Sequence, residues 1–222
     1  MGSSRKSPSP NNATQLVIDR FERALEGILA RVFVSSDKVF AVAYSGGLDS
    51  SLLLRLAADY CRSRGRTLHA FHIHHGLSPN ATQWLAHCRR ETDALGVSFD
   101  AREIVVKGVA DHGTEQAARL ARYDALAAMC EQHQVDVLLT AHHQDDQAET
   151  VLLQLFRGAG LRGLGGMAVL HDDHELLGEG VAVLRPLLDC SRAELEQYAH
   201  EHVIAHVDDE SNVDTRYRRN AI

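Results

Sequence analysis

The chain contains no C-x-x-C pair. Its four cysteines, Cys61, Cys88, Cys130 and Cys190, stand far apart, which leaves neither a zinc knuckle nor a redox dithiol. Reduced thiols in a cytoplasmic protein are the simplest reading. No apolar run approaches the roughly 18 residues of a membrane span, so no membrane partner is expected, and the polar first fifteen residues do not read as a signal peptide. A surplus of positive charge is missing too. The net charge is −7, so contact with a nucleic acid must come from local basic patches or from a part outside these residues. One further absence is more pointed. The chain has a turn of the kind that cradles phosphate, yet not the lysine of the G-x-x-x-x-G-K-[ST] loop.

What is present suffices for one substantial core: 222 residues, 45% of them hydrophobic. Residues 1–13, rich in Ser, Pro and Asn, predict a disordered tail. From Leu16 to Val32 the apolar residues recur at helical spacing. Strands and helices then alternate. Strands are predicted over Val39–Tyr44, Thr67–Ile73, within Val97–Val106, over Val135–Ala141 and at Val181–Leu184. Helices are predicted over Asp49–Arg64, near Asn80–Leu95, over Glu115–Gln134 and Asp145–Phe156, and over Ser191–His202 with Ser191 as cap. This order predicts an α/β fold: a doubly wound, mostly parallel sheet of about five strands with helices on both faces. Ligands of such sheets bind beyond the carboxyl ends of the strands, at a switch point.

The phosphate-type turn is "SGGLDSS", residues 45–51, at the carboxyl end of the first predicted strand. Gly46 and Gly47 let a ligand approach the backbone closely. The first N–H groups of the following helix, with the hydroxyls of Ser45, Ser50 and Ser51, make an anion nest. An ordinary strand–helix turn capped by Asp49 or Ser50 is the plainer alternative. Asp49 argues for the nest in a particular form, since a carboxylate beside polyphosphate repels it unless a cation such as Mg²⁺ lies between. A second cluster, "TAHHQDDQAET" (140–150), opens another helix with Asp145, Asp146 and Glu149 sharing a face. Acids favour helix N-termini in any case, but three acids beside His142 and His143 exceed that need. No cysteine or third ligand stands at zinc spacing to these histidines. His72, His74 and His75 end the second strand, where a pocket belongs, and 171–174 (HDDH) reads as a solvated turn. Arg119 and Arg122 share a helical face and suit phosphate, or are a surface pair with Glu115 bridging to Arg119. "FRGAGLRGLGGM" (156–167), with Arg157 and Arg162, reads as a mobile loop able to close over a substrate, or as a plain connection.

These segments together resemble a known family. S-G-G-x-D-S is similar to the pyrophosphate loop of the N-type ATP pyrophosphatases, whose fold is that of the adenine nucleotide α-hydrolases. "SGGLDSS", "HIHHGLS", "AARLARY", "TAHHQDDQAET", "RGAGLRGLGGM", "RPLL" and "DDESNVDTRYRRN", in that order, resemble the catalytic domain of the tRNA(Ile)-lysidine synthetase family over about residues 35–222. The resemblance implies a ligase that uses ATP and Mg²⁺. The C2 oxygen of the wobble cytidine in tRNA(Ile) with a CAU anticodon attacks the α-phosphate and expels pyrophosphate. Free L-lysine then displaces AMP. It further implies that Ser45, Gly46, Gly47, Leu48, Asp49, Ser50 and Ser51 hold the phosphates, and that Asp49 and Asp146 meet the metal. Asp145, Asp146 and Glu149 would handle metal and lysine, Arg119 and Arg122 the nucleotide, and His142 would be a further catalytic residue. Residues 14–222 would form the catalytic domain, with tRNA-gripping domains expected beyond it; a homodimer is allowed. Two positions depart from the family pattern: His74 stands where Asn is usual, and Ser78 where Arg often follows the Leu. A tRNA thiolase of the same fold, which needs a cysteine pair or an iron–sulfur site, and a nucleotide-binding module without catalysis are the alternatives.

Overall fold

The computed structural model describes residues 10–32, 37–74, 80–104, 114–158, 160, 165–171, 177 and 180–207. The tail 1–9, His75 to Ser78, residues 159 and 161–164 of the glycine-rich segment (Arg162 among them), residues 172–174 and the 208–220 motif lie outside them.

Among the described residues, six strands form one sheet. In chain order the elements are α1 (Pro10–Val32), β1 (Phe40–Ala43), α2 (Leu48–Ser63), β2 (Leu68–His74), α3 (Ala81–Leu95), β3 (Ser98–Glu103), α4 (Thr114–Gln132), β4 (Val137–Leu139), α5 (Gln144–Phe156), β5 (Leu170–His171), β6 (Ala182–Leu184) and α6 (Arg192–Glu201). The strand order is β3-β2-β1-β4-β6-β5. Five strands run parallel, as expected. The sixth, β5, pairs antiparallel with β6 at the edge; a two-residue strand gives no periodic signal, and it falls where a solvated turn was expected at His171. The first helix starts at Pro10, so four residues read as tail belong to it. Proline fits there because the first helical residue needs no N–H partner.

The strands' short, apolar character follows from burial on both faces. Phe40, Val42 and Tyr44 face one core with Val137, Leu139 and Leu184, packed by α1, α2, α3 and α6. Ala41, Leu138 and Val183 face the other, packed by Tyr123, Leu126, Met129 and Cys130 of α4. Because successive strand residues point to opposite sides, β1, β4 and β6 keep no polar face, whereas the edge-ward β3, Ser98–Glu103, is polar and has no buried residue. α5 differs: none of its residues is fully buried, and Leu155 and Phe156 at its end are 53% and 75% exposed.

The order places β1 at the switch point. Strands β2 and β3 lie to one side of it, and β4 and β6 to the other. Since β1, β4 and β6 are parallel neighbours, the helices that follow them, α2, α5 and α6, all start at the same sheet edge. The Gln144 N–H donates to the Cys190 carbonyl at 2.9 Å, and the Thr140 N–H to Leu184 at 2.9 Å. These bonds tie the start of α5 to the turn that leads into α6.

Two histidines on β2 make this packing sensitive to acid. Burial lowers the pKa of His72, whose Nδ1 bonds the Tyr44 carbonyl at 2.9 Å. Burial also lowers His69, helped by the neighbouring His133. Both stay neutral in the fold at a pH where the unfolded imidazole, with a pKa of about 6.5, takes a proton. The unfolded chain then binds more protons, so this contribution is present above about pH 6.5 and is lost as pH falls toward the folded values. The urea midpoint should therefore drop between pH 7 and 5.5. His72→Gln should flatten the drop, and an unchanged slope in a folded variant would count against His72.

Candidate active site at the β1–β4 switch point

The phosphate-type turn is braced from within. Gly46 takes φ +90°, a conformation suited to glycine. A Cβ there would come within 2.8 Å of Cys88 Sγ and 3.2 Å of Val207 Cγ2. The Ser51 hydroxyl donates to the Gly46 carbonyl at 3.1 Å, and the Ser50 hydroxyl to the Gly47 carbonyl at 3.0 Å. Both serines are buried. Their hydroxyl protons are thus spent holding the turn, whereas Ser45 is exposed, with its Oγ 2.9 Å from that of Ser50 and accepting the Gly47 N–H at 3.3 Å. The Val207 N–H closes the back of the turn on the Gly46 carbonyl at 2.9 Å.

The three helix starts at this edge differ in one respect. α5 and α6 carry full capping boxes, His143 with Asp146 and Ser191 with Glu194. α2 begins at Gly47 with no side-chain cap. Its first-turn N–H groups and the positive end of its dipole are therefore left for an anion. Backbone amides left open in this way are suited to receive an anion.

The acids gather around it. His143 accepts the Asp145 N–H at Nδ1, 3.3 Å away, which places the ring proton on Nε2. That nitrogen lies 3.4 Å from Asp146 Oδ2 and 3.8 Å from Asp49 Oδ2. Asp49 from α2 and Asp146 from α5 therefore meet across one imidazole. The adjacent His142 instead has its Nδ1 3.0 Å from the Thr140 hydroxyl. Glu149 lies half-buried one turn further along α5. Arg119 and Arg122 are exposed on α4, and the Arg119 guanidinium lies 5.1 Å over the Tyr123 ring; no described contact of Arg119 reaches the turn.

Two residues go beyond the sequence reading. His143 is the link between the acids, and Arg192 of α6 supplies their cation. Arg192 Nη1 is 2.7 Å from each carboxylate oxygen of Asp49, and its backbone N–H donates to Asp145 Oδ1 at 3.2 Å. An arginine directly after a predicted cap was the only local signal available. Near the glycine-rich segment, Gln147 holds Met167 by both backbone groups, at 2.6 and 2.8 Å. The buried Arg185 of "RPLL" donates to the Ala168 carbonyl at 3.0 Å. These anchors fix the far end of the segment beside α5.

Among the described residues no group of three or more His, Cys, Asp or Glu is arranged to hold a metal alone. Mg²⁺ rarely needs one; it takes one or two carboxylates and completes its shell with water and phosphate oxygens. Asp49 and Asp146 fit that donor set.

An uncapped helix start behind a glycine turn, at the switch point of a parallel sheet and facing paired acids, defines a nucleotide-phosphate site of the PP-loop class. The chain belongs to that family: the PP-loop domain matches residues 17–222. Within it, the chain is 47% identical to a tRNA(Ile)-lysidine synthase of Burkholderia mallei over 215 residues, covering 97% of this chain and 42% of that protein. It is 44% identical to that of Ralstonia nicotianae over 209 residues (93% and 44%), and 48% identical to that of Alkalilimnicola ehrlichii over 181 (82% and 39%). The chain thus spans about two fifths of the length of these curated relatives. Among solved structures, a U34-tRNA thiolase of Methanococcus maripaludis with a [4Fe-4S] cluster superposes at TM-score 0.70 and 16% identity, over 94% of this chain and 75% of that one. An NH3-dependent NAD synthetase of Campylobacter jejuni superposes at 0.51 and 15%, over 95% and 79%. At such identities these two share the fold alone.

Gly46→Ala tests the turn directly. Left-handed strain and the Cys88 clash should cost about 1–3 kcal/mol in urea unfolding, and ATP binding should weaken with it. An alanine variant as stable as the parent would show that the turn relaxes freely.

Proposed function

We propose that this chain is the ATP-using catalytic part of a tRNA(Ile)-lysidine synthase, acting in the cytoplasm on tRNA(Ile) with a CAU anticodon and free L-lysine. The observation that carries the reading is the joint one: an uncapped α2 start facing Asp49, Asp146 and His143, in a chain 47% identical to such a synthase over nearly its whole length. The first-turn amides of α2, from Leu48 on, with Ser45 and the Gly46–Gly47 backbone, bind the β- and γ-phosphates as the future leaving group. Ser50 and Ser51 keep that cradle in shape. Mg²⁺, held by Asp49 and Asp146 with phosphate oxygens, supplies charge neutralisation of the polyphosphate when bound.

The acids have a second task. The amine of free lysine has a pKa of about 10, so only about one molecule in a thousand is nucleophilic at pH 7. Asp145 and Glu149, on the exposed side of α5, attract the ammonium group, and a carboxylate can accept its proton. His142, whose Nδ1 stands 3.0 Å from the Thr140 hydroxyl, is assigned to the same chemistry. Arg119 and Arg122 remain candidates for the nucleotide from α4. The thiolase alternative is disfavoured by the cysteines themselves. All four are buried, and burial raises the thiols of Cys61, Cys88 and Cys130 to about 12 and that of Cys190 to about 11. Sulfur chemistry needs an accessible thiolate.

Incubating the chain with ATP, Mg²⁺, lysine and candidate tRNAs should yield AMP, pyrophosphate and a wobble cytidine heavier by one lysine less water, read by nucleoside mass analysis. Products of ADP and phosphate would overturn the assignment. A sulfur-bearing nucleoside would favour the thiolase. Asp49→Ala should fold as the parent does but lose most turnover, since Gly47 rather than Asp49 is the N-cap.

A further inference from the structure

The arginine on Asp49 sits in an unusual way. A single nitrogen, Arg192 Nη1, stands 2.7 Å from Oδ1 and 2.7 Å from Oδ2. One donor straddles the carboxylate as a bidentately bound cation does, whereas the usual Arg–carboxylate fork uses two nitrogens. The same residue holds Asp145 through its backbone N–H at 3.2 Å, and its Nε is held by Glu196 at 2.8 Å. Guanidinium does not lose its proton at any working pH. Asp49 is therefore already neutralised by the protein, at the point where a divalent cation would bind.

We propose that Arg192 is a built-in counter-ion that competes with the divalent cation for Asp49 and yields it when nucleotide phosphates arrive. The inference rests on the reading of this turn as an ATP site. Nη1 stands between the two oxygens, so a metal taking both of them would occupy its place, and a metal on either one would repel the guanidinium at short range. The released guanidinium remains anchored through the α6 backbone, beside the uncapped start of α2. Phosphate oxygens there offer it a new acceptor that suits its forked donors. Its other partner, Glu196, is 55% exposed, and an exposed pair of this kind restrains an arginine only weakly. Metal and nucleotide then bind interdependently: the metal alone meets a competitor, and the nucleotide removes that competitor. Linkage makes the coupling reciprocal. The consequence is that Asp49 is guarded against free divalent cations until a nucleotide is in place.

The probe is Mn²⁺ in place of Mg²⁺, its free concentration read by electron paramagnetic resonance, with and without α,β-methylene-ATP. Wild type should bind Mn²⁺ weakly alone and at least about 10-fold tighter with the analogue, within the usual span of coupling between two sites. Arg192→Gln, with its fold checked by circular dichroism, should bind Mn²⁺ alone about 10-fold tighter than wild type and gain much less from the analogue. Arg192→Lys keeps a charge without the fork and should fall between; it decides the matter if the glutamine variant does not fold. Variants that bind Mn²⁺ alone no more tightly than wild type, while wild type still binds Mn²⁺ with the analogue, overturn the counter-ion role and leave the ATP site standing. Wild type that binds no Mn²⁺ even with the analogue overturns both. An arginine serving only as a structural ion pair would lower the melting temperature and leave the coupling intact, which equally overturns the proposal.

Discussion

Parallel pairing of β1 with β4 brings the acids to the phosphate turn. Nearly a hundred residues separate these strands in the chain, and their register sets Phe40 beside Val137 and Val42 beside Leu139. Once those carboxyl ends are level, the helices that follow must begin side by side. Asp49 and Asp146 then lie within reach of one imidazole without either helix bending toward the other. Adding β6 to the far side of β4 brings a third helix start, and with it Arg192. The site is thus a product of strand order, and it is as rigid as the two cores that hold the strands.

Charge explains why three positive helix ends can share one edge. Two of them are closed by their own caps, and their dipoles are answered by Asp145, Asp146 and Glu194. The third is left open behind Gly46 and Gly47. Acids crowding the opening would repel a polyphosphate, and a fixed arginine offsets part of that repulsion in the free protein. The lysine of other phosphate loops is missing here; in the proposed reading its charge is divided between backbone amides, an arginine from a distant helix and a metal on the carboxylates.

Much of this was visible in the sequence because it is local. A strand, a glycine turn and a helix start lie within a dozen residues, and helical spacing alone puts Asp145, Asp146 and Glu149 together. The Ser191 cap was legible for the same reason, since a capping box spans only four residues. Arg192 was not, because its partner is 143 positions away and no periodicity links them. His143 was hidden by its neighbour: two adjacent histidines look alike in a sequence, and only the helix start decides which becomes the cap and which turns to Thr140. That the Ser50 and Ser51 hydroxyls bond the turn's own carbonyls was not legible, because the sequence does not show which way a hydroxyl turns. Strand β5 escaped because two residues carry no alternation.

The buried cysteines have a practical consequence. With every native thiol enclosed and its ionisation pushed far above neutrality, maleimide reagents at pH 7 have almost no background target in the folded chain. One cysteine introduced on an exposed surface, at Gln83 on α3 for instance, would then take a fluorophore at a single known position. The wild-type frame could be labelled for distance measurements without first stripping its own sulfur from the core.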